Sequence, residues 1–105
     1  MALELTDQNF EKEALDTDKL VMVDFWAQWC GPCRMLAPIV EELHKDYEGR
    51  AVIGKLDVDN NPNVAQQFGI RSLPTILFIK NGEVVGKQIG LTTKAKLEAA
   101  MEPHL

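Results

Sequence analysis

Two apolar runs dominate the pattern of hydrophobic and polar positions in this chain, and they read KLVMVDFWA and RAVIGKLDVD. Near-continuous apolar runs of this length are typical of strands that are covered on both faces of a sheet. Between them, apolar residues recur at helical spacing from Met35 to Tyr47, which predicts a helix that ends near Gly49. A strand, a helix and a strand in this order predict a βαβ unit over residues 20–59, with parallel strands and a right-handed crossover.

The segments on either side continue this alternation. ALEL near the N-terminus predicts a short edge strand, and apolar residues at helical spacing predict a helix over Asp7–Leu15. In NNPNVAQQFG, Asn61 fits the N-cap of a short helix, Pro62 its first position and Gly69 its C-terminal cap.

The last third of the chain has a different rhythm. TILFIK and EVVGKQI flank Asn81-Gly82, which predicts an antiparallel hairpin, and TTKAKLEAAMEPHL predicts a terminal helix that closes before Pro103. The predicted element order is β-α-β-α-β-α-β-β-α. It indicates an α/β fold with a mixed sheet and helices on both of its faces.

The composition of the chain limits the functions it can have. The 105 residues fit one small domain spanning 1–105, and the 46% of apolar residues suffice for one core. The net charge of -5 argues against nucleic acid and against an anionic membrane surface as partners. No apolar run approaches the ~20 residues of a membrane span, and no secretory signal is visible, so a cytoplasmic location is expected.

The only two cysteines, Cys30 and Cys33, lie three residues apart and allow three uses. A structural disulfide here would close a loop of four residues, which gives only about 2 kcal/mol of stabilisation. A metal site would need two more nitrogen or sulfur ligands. His44 lies about 16 Å further along the predicted helix from Cys33, and His104 lies in the C-terminal tail. Both uses are therefore disfavoured.

A redox use explains more of the surrounding residues. Cys30 falls where a strand ends and a helix begins, so free backbone N–H groups and the helix dipole favour its thiolate. Cys33 lies one turn inside the helix and is expected to be less exposed, which suits a resolving thiol. Pro32 has no N–H, so the reduced pair is stabilised less and becomes a better reductant.

Two charged residues interrupt the buried strands. Asp24 stands in LVMVDFWA and Lys55 in AVIGKLDV, on strands predicted to be neighbours. One interpretation is a structural ion pair, or two side chains that reach solvent. The other is a buried acid with a raised pKa that moves protons for Cys33. Periodicity alone does not decide between them.

The segment DFWAQWCGPCRMLAP resembles the active-site segment of the thioredoxin family, and the similarity continues through SLPT and NGE at matching separations. The resemblance implies a thioredoxin fold, a central mixed five-stranded sheet flanked by four helices. It also implies a general protein-disulfide reductase and electron carrier. In that family Cys30 would be the nucleophile, Cys33 the resolving thiol, Asp24 the proton carrier and Lys55 its possible partner.

The same resemblance implies a cis Leu73–Pro74 bond beside the disulfide and a substrate-binding surface around it. That surface would consist of Trp29, Gly31, Pro32, Leu73, Pro74, Gly90 and Leu91. Its partners would be disulfide-containing client proteins and thioredoxin reductase. The chain would act as a monomer without a bound cofactor or metal, and its electrons would come from NADPH through the reductase.

Two rival functions stay open at this point. A thiol oxidase or isomerase on the same fold is expected to carry a histidine between its cysteines, where this chain has Gly31 and Pro32. A non-enzymatic interaction module would use the same surface, with the redox state incidental. Gln28, Ser72 and Leu91 differ from the residues most frequent in the family, and they put the choice of client in doubt rather than the thiol chemistry.

Overall fold

The computed structural model describes all 105 residues. Its five strands are β1 Leu3–Leu5, β2 Leu20–Trp26, β3 Ala51–Asp57, β4 Thr75–Lys80 and β5 Glu83–Ile89. Its helices are a π-helical segment Glu11–Leu15, then α1 Gly31–Asp46, α2 Pro62–Gln67 and α3 Lys94–Met101, and a 3₁₀ turn Glu102–His104 ends the chain. The predicted order of elements is confirmed.

The strands form one mixed sheet in the order β1-β3-β2-β4-β5. The two long apolar runs are parallel neighbours, β2 and β3, and β1 lies parallel to β3 on its other side. β4 and β5 run antiparallel, joined by a turn in which Asn81 has φ 51° and Gly82 has φ 79°. Both residues have positive φ, as the tight hairpin turn that Asn-Gly predicts requires. The α/β class and the mixed five-stranded sheet are confirmed.

Helices cover both faces of this sheet. On one face, α1 and α3 pack on β2, β3 and β4 through a cluster that includes Met22, Leu36, Val40, Ile76 and Leu97. On the other face, the π-helical segment and α2 pack through a cluster that includes Phe10, Val23, Phe25, Val64 and Leu77. Alternate residues of β2 enter alternate clusters, so the continuous apolar run is explained by burial on both sides.

The first predicted helix is shorter than expected. Regular π-helical structure covers only Glu11–Leu15 instead of Asp7–Leu15. Residues 7–9 form turns, and Thr6 and Asn9 exchange hydrogen bonds around them: Asn9 accepts from the Thr6 N–H at 2.7 Å, and Thr6 accepts from the Asn9 N–H at 3.1 Å. Such a reciprocal pair resembles a capping box and marks the start of the helical segment, where the Phe10 N–H donates to the Thr6 carbonyl at 3.0 Å.

The predicted N-cap position of α2 is confirmed, but the hydrogen bonds that cap the helix come from another residue. Asn61 is the N-cap residue, but its side chain makes no capping hydrogen bond. The Asp7 carboxylate accepts from the N–H groups of Asn63 at 3.1 Å and Val64 at 2.9 Å, and it caps the helix from another part of the chain. The side chain of Asn61 instead accepts from the Asp7 N–H at 2.9 Å.

The other two helices end where their sequences suggest. α1 stops at Asp46, ahead of the turn that contains Gly49 with φ +84°. α3 begins after Thr93, whose hydroxyl accepts from the Lys96 N–H at 3.2 Å, and it ends at Met101 ahead of Pro103. No helix of the chain is long and apolar enough to cross a membrane.

Candidate active site

The cysteine pair lies where β2 gives way to α1. Cys30 is the N-cap residue of α1, with extended backbone angles of φ -88° and ψ 108°. The backbone N–H of Cys33 donates a hydrogen bond to Cys30 Sγ at 3.2 Å. Pro32 stands in the first turn and has no N–H to donate. Cys30 Sγ therefore lies at the positive end of the helix dipole and has one backbone donor.

The two cysteines form a disulfide, with their Cα atoms 5.3 Å apart. The exposed fraction is 4% for Cys30 and 2% for Cys33. Cys33 is the less exposed of the two, as expected, but the difference is small and both cysteines are buried. Ala27 shares their cluster, and Trp26, Val58 and Leu73 pack against it and cover both sulfur-bearing side chains. What distinguishes the two cysteines is their position on the helix, because only Cys30 lies at its N-cap.

The loop before β4 forms one wall of the site. Leu73 packs against the disulfide cluster, and the Leu73–Pro74 peptide bond is cis, as the resemblance implies. Pro74 is buried, and its carbonyl accepts from the Gly90 N–H at 2.8 Å. Leu73 therefore lies beside the disulfide, and Pro74, the next residue, is joined to Gly90.

The remaining residues expected to bind substrate have different exposures. Trp29 is 69% exposed, and its indole N–H donates to Asp59 Oδ2 at 2.9 Å. Pro32 and Leu91 are exposed, while Gly31 is half-buried. The structure places Trp29, Gly31 and Pro32 on the chain immediately around the cysteines. Leu91 follows Gly90 in the chain and is exposed.

Asp24 lies in the middle of β2 and is 1% exposed. Its Cα partner on β3 is Lys55, and on β4 it is Ile76. Neither carboxyl oxygen of Asp24 has a hydrogen-bond partner. Burial raises the pKa of Asp24 from 3.8 to about 7, and the positive charge of Lys55 opposes this rise. A carboxyl group with such a pKa changes its protonation state near neutral pH, as a proton carrier must.

Lys55 does not form a direct ion pair with Asp24. The ion pairs of the structure are those of Lys94 with Glu42 and Asp46. The ammonium group of Lys55 lies instead over the ring of Trp26, 4.9 Å from its centroid. The structural ion pair considered from the sequence is therefore absent, and Lys55 acts on Asp24 through its charge at longer range.

Sequence reasoning missed three contacts of this site. They are the Trp29–Asp59 hydrogen bond, the stacking of Lys55 on Trp26 and the packing of Val58 against the disulfide. All three involve residues at or just beyond β3. β2 and β3 are parallel, so their carboxyl ends lie at the same edge of the sheet, and functional side chains gather at such edges. That topology was the available signal.

No group of three or more His, Cys, Asp or Glu side chains comes together as a metal site. His44 lies on α1 and His104 lies in the terminal 3₁₀ turn. The surroundings of the cysteine pair are one backbone donor and apolar walls, and a buried carboxyl group lies on the strand that leads to the pair.

A reversible Cys-x-x-Cys disulfide at a helix N-terminus, next to a cis-proline loop, defines the class of thiol–disulfide oxidoreductases. The thioredoxin family model matches residues 1–103. Thioredoxin of Chlorobaculum thiosulfatiphilum is 55% identical over 102 residues, covering 97% of this chain and 94% of the relative. Thioredoxin 1 of Nostoc sp. is 48% identical over 104 residues, covering 99% and 97%. Thioredoxin of Buchnera aphidicola is 45% identical over 103 residues, covering 98% and 95%.

The chain belongs to the thioredoxin family. It is a protein-disulfide oxidoreductase that exchanges dithiol and disulfide through the redox-active pair Cys30–Cys33. The family works with this disulfide in place of a bound prosthetic group.

Proposed function

We propose that the 105 residues act as one domain and a general protein-disulfide reductase, in which Cys30 attacks and Cys33 resolves. The observation that carries this assignment is the 3.2 Å hydrogen bond from the Cys33 N–H to Cys30 Sγ. A backbone donor and the positive end of a helix dipole both stabilise negative charge, so the thiolate is favoured on Cys30. Pro32 withholds a further donor, and the reduced pair remains a good reductant.

In the reaction, the Cys30 thiolate attacks one sulfur of a client disulfide. A bond forms between Cys30 Sγ and the client, and the second client sulfur leaves as a thiolate and takes up a proton. Cys33 then loses its proton and attacks Cys30 Sγ, which forms the Cys30–Cys33 disulfide and releases the other client sulfur as a thiol. Two electrons pass from the cysteine pair to the client.

We assign Asp24 as the group that accepts the proton of Cys33. Asp24 lies on the face of the sheet that α1 covers, and α1 carries Cys33 in its first turn. No hydrogen bond engages either of its oxygens. With a pKa of about 7, Asp24 is ionised and able to accept a proton at slightly alkaline pH, before an ordinary thiol ionises by itself.

The client is held by the apolar surface around the disulfide. Trp29 and Leu91 expose large apolar areas on this surface, and Leu73 packs beside the sulfurs. Gly31, Pro32, Pro74 and Gly90 leave space for the backbone of an extended client segment to approach, in a short strand-like pairing. The binding needs no particular client sequence, which suits a reductase that serves many proteins.

The oxidised pair is returned to the dithiol by a flavin-dependent thioredoxin reductase, which draws its electrons from NADPH. We place the protein in the cytoplasm, because disulfides in reducing compartments are mostly transient and catalytic. We expect it to act there as a monomer. The reduction of insulin in the presence of the reductase and NADPH tests whether electrons reach the protein by this route. A rate no faster than that of a small dithiol alone would exclude the reductase function.

The roles of the two cysteines are tested by trapping. Cys33→Ser leaves the attacking thiol without a resolving partner, so mixed disulfides with clients should accumulate on Cys30. Cys30→Ser is the matched control, and it should trap little. Equal trapping by the two variants, measured by mass spectrometry after incubation with an oxidised client, would overturn the assignment.

A further inference from the structure

Three side chains from β2 and β3 share one face of the sheet. Asp24 and Trp26 are two residues apart on this strand, so their side chains point to the same side. Lys55 is the Cα partner of Asp24 on the parallel strand β3. The ammonium group of Lys55 stacks on the Trp26 ring at 4.9 Å from the centroid, instead of making an ion pair.

Other carboxylates line the same pocket as this ammonium group. Lys55 and Trp26 line a surface pocket of about 490 Å³ that also receives Glu4 from β1, Glu41 from α1 and Asp57 from β3. The other cation at this pocket is the α-amino group of Met1, a fully exposed residue. On its other side, Asp24 faces the apolar Ile76 of β4. An unrestrained Lys55 side chain could therefore turn towards three acids other than Asp24.

We infer that Trp26 is a positioning residue for the proton-transfer group, and that its indole face holds the Lys55 ammonium on the Asp24 side of the pocket. A tryptophan face attracts a cation more strongly than any other side-chain ring. The ring does not neutralise the ammonium as a carboxylate would, so the charge of Lys55 still acts on Asp24. Trp26 thus sets the pH at which Asp24 becomes a base.

This inference rests on the proposed role of Asp24, but its test does not need that role. The pKa of the Asp24 carboxyl group is measured by carbon-detected NMR in the oxidised protein, for the four members of a Trp26→Leu and Lys55→Met double-mutant cycle. Trp26→Leu also admits water to Asp24, and the resulting change in the desolvation of Asp24 is common to both Lys55 backgrounds. The cycle cancels this part.

The expected result is a coupling of at least about 0.5 pKa unit, about a threefold change in the ionisation constant. Its sign is such that Trp26→Leu raises the Asp24 pKa more when Lys55 is present. Trp26→Phe keeps a weaker aromatic face and should restore part of the coupling. Trp29→Phe is the matched control, because the Trp29 ring bears no cation and its N–H bonds to Asp59.

A coupling of zero would show that Lys55 is placed without Trp26, and a coupling of opposite sign would show that the ring holds Lys55 away from Asp24. Either result overturns the inference. The kinetic test of Asp24 itself is separate: an unchanged pH–rate profile in Asp24→Asn would end its proposed role in proton transfer while leaving the measured coupling intact.

Discussion

Two aspartates of this chain are held in opposite ways. The Asp7 carboxylate is half-buried and accepts two backbone hydrogen bonds at the start of α2, from Asn63 and Val64. The Asp24 carboxyl group is 1% exposed and accepts none. On folding, the Asp7 carboxylate exchanges its hydrogen bonds with water for hydrogen bonds with protein donors, whereas the Asp24 carboxyl group gains none.

The difference separates a carboxylate that holds two segments together from the one proposed to carry a proton. Asp7 and Asn63 lie 56 residues apart along the chain, so the hydrogen bonds of Asp7 fix the N-terminal turn against α2. Asp24 contributes no bond that the fold needs, and its burial destabilises the ionised form. An unpartnered buried carboxyl group on the strand that leads to the cysteine pair is consistent with the proton-transfer role proposed for Asp24.

Asp24→Asn should have the largest effect on stability. In the native state the Asp24 carboxyl group keeps its proton up to about pH 7, whereas in the unfolded chain it loses the proton near pH 3.8. The native protein therefore loses stability as pH rises through this window. The shift corresponds to at most about 4 kcal/mol, at about 1.4 kcal/mol per pKa unit. The variant should be more stable than the parent at pH 8.5 and similar to it at pH 4.

Denaturant unfolding of the oxidised protein at the two pH values measures this effect. Asn keeps the size of the side chain, so a gain that is the same at pH 4 and pH 8.5 would point to packing. In that case the uncompensated charge would not be the cause, and the contrast with Asp7 would fail.

Asp7→Ala should act in the opposite direction and by less. Loss of both acceptor oxygens leaves two N–H groups of α2 without their cap, which typically costs about 1–2 kcal/mol. The matched control is Thr93→Ala at α3, an ordinary cap within its own segment with one hydrogen bond to Lys96. If Asp7→Ala leaves the free energy of unfolding unchanged, the long-range cap has no energetic role.

Thr92→Val should give the smallest change. The Thr92 hydroxyl is the other buried polar group without a hydrogen-bond partner, but it carries no charge. Its replacement by the isosteric valine should stabilise the protein by about 1 kcal/mol. Because no ionisation is involved, the gain should be equal at pH 4 and pH 8.5, in contrast to Asp24→Asn. A pH-dependent gain would remove this distinction between the two unpartnered groups.

The sequence was sufficient to predict the strands and helices and to locate the cysteine pair among them. The apolar runs of β2 and β3, the Asn81-Gly82 turn and the helical spacing after Cys33 are local signals, and each predicted its element. Cys30 could be placed at a helix N-terminus for the same reason. The position of Asp24 opposite Lys55 followed from two parallel buried strands.

The helix cap at α2, the burial of Cys30 and the position of the Lys55 side chain could not be predicted, because they depend on contacts between distant segments. Nothing near Asp7 in the sequence indicates that it caps α2, and Asn61 has the right type and position for that cap. The burial of Cys30 comes from Val58 and Leu73, which approach it only in the folded chain. Strand register places Lys55 beside Asp24, but it does not determine that the long side chain turns to Trp26.

The most direct test of Asp24 as the proton carrier is the pH dependence of mixed-disulfide resolution. A client is attached to Cys30, and its release by Cys33 is followed in a single turnover from pH 5.5 to pH 9.5. In the parent protein the rate should rise with a midpoint near pH 7, where Asp24 ionises. In Asp24→Asn this rise should be lost, and release should accelerate only where Cys33 ionises unaided. Superimposable profiles for the two proteins would contradict the account.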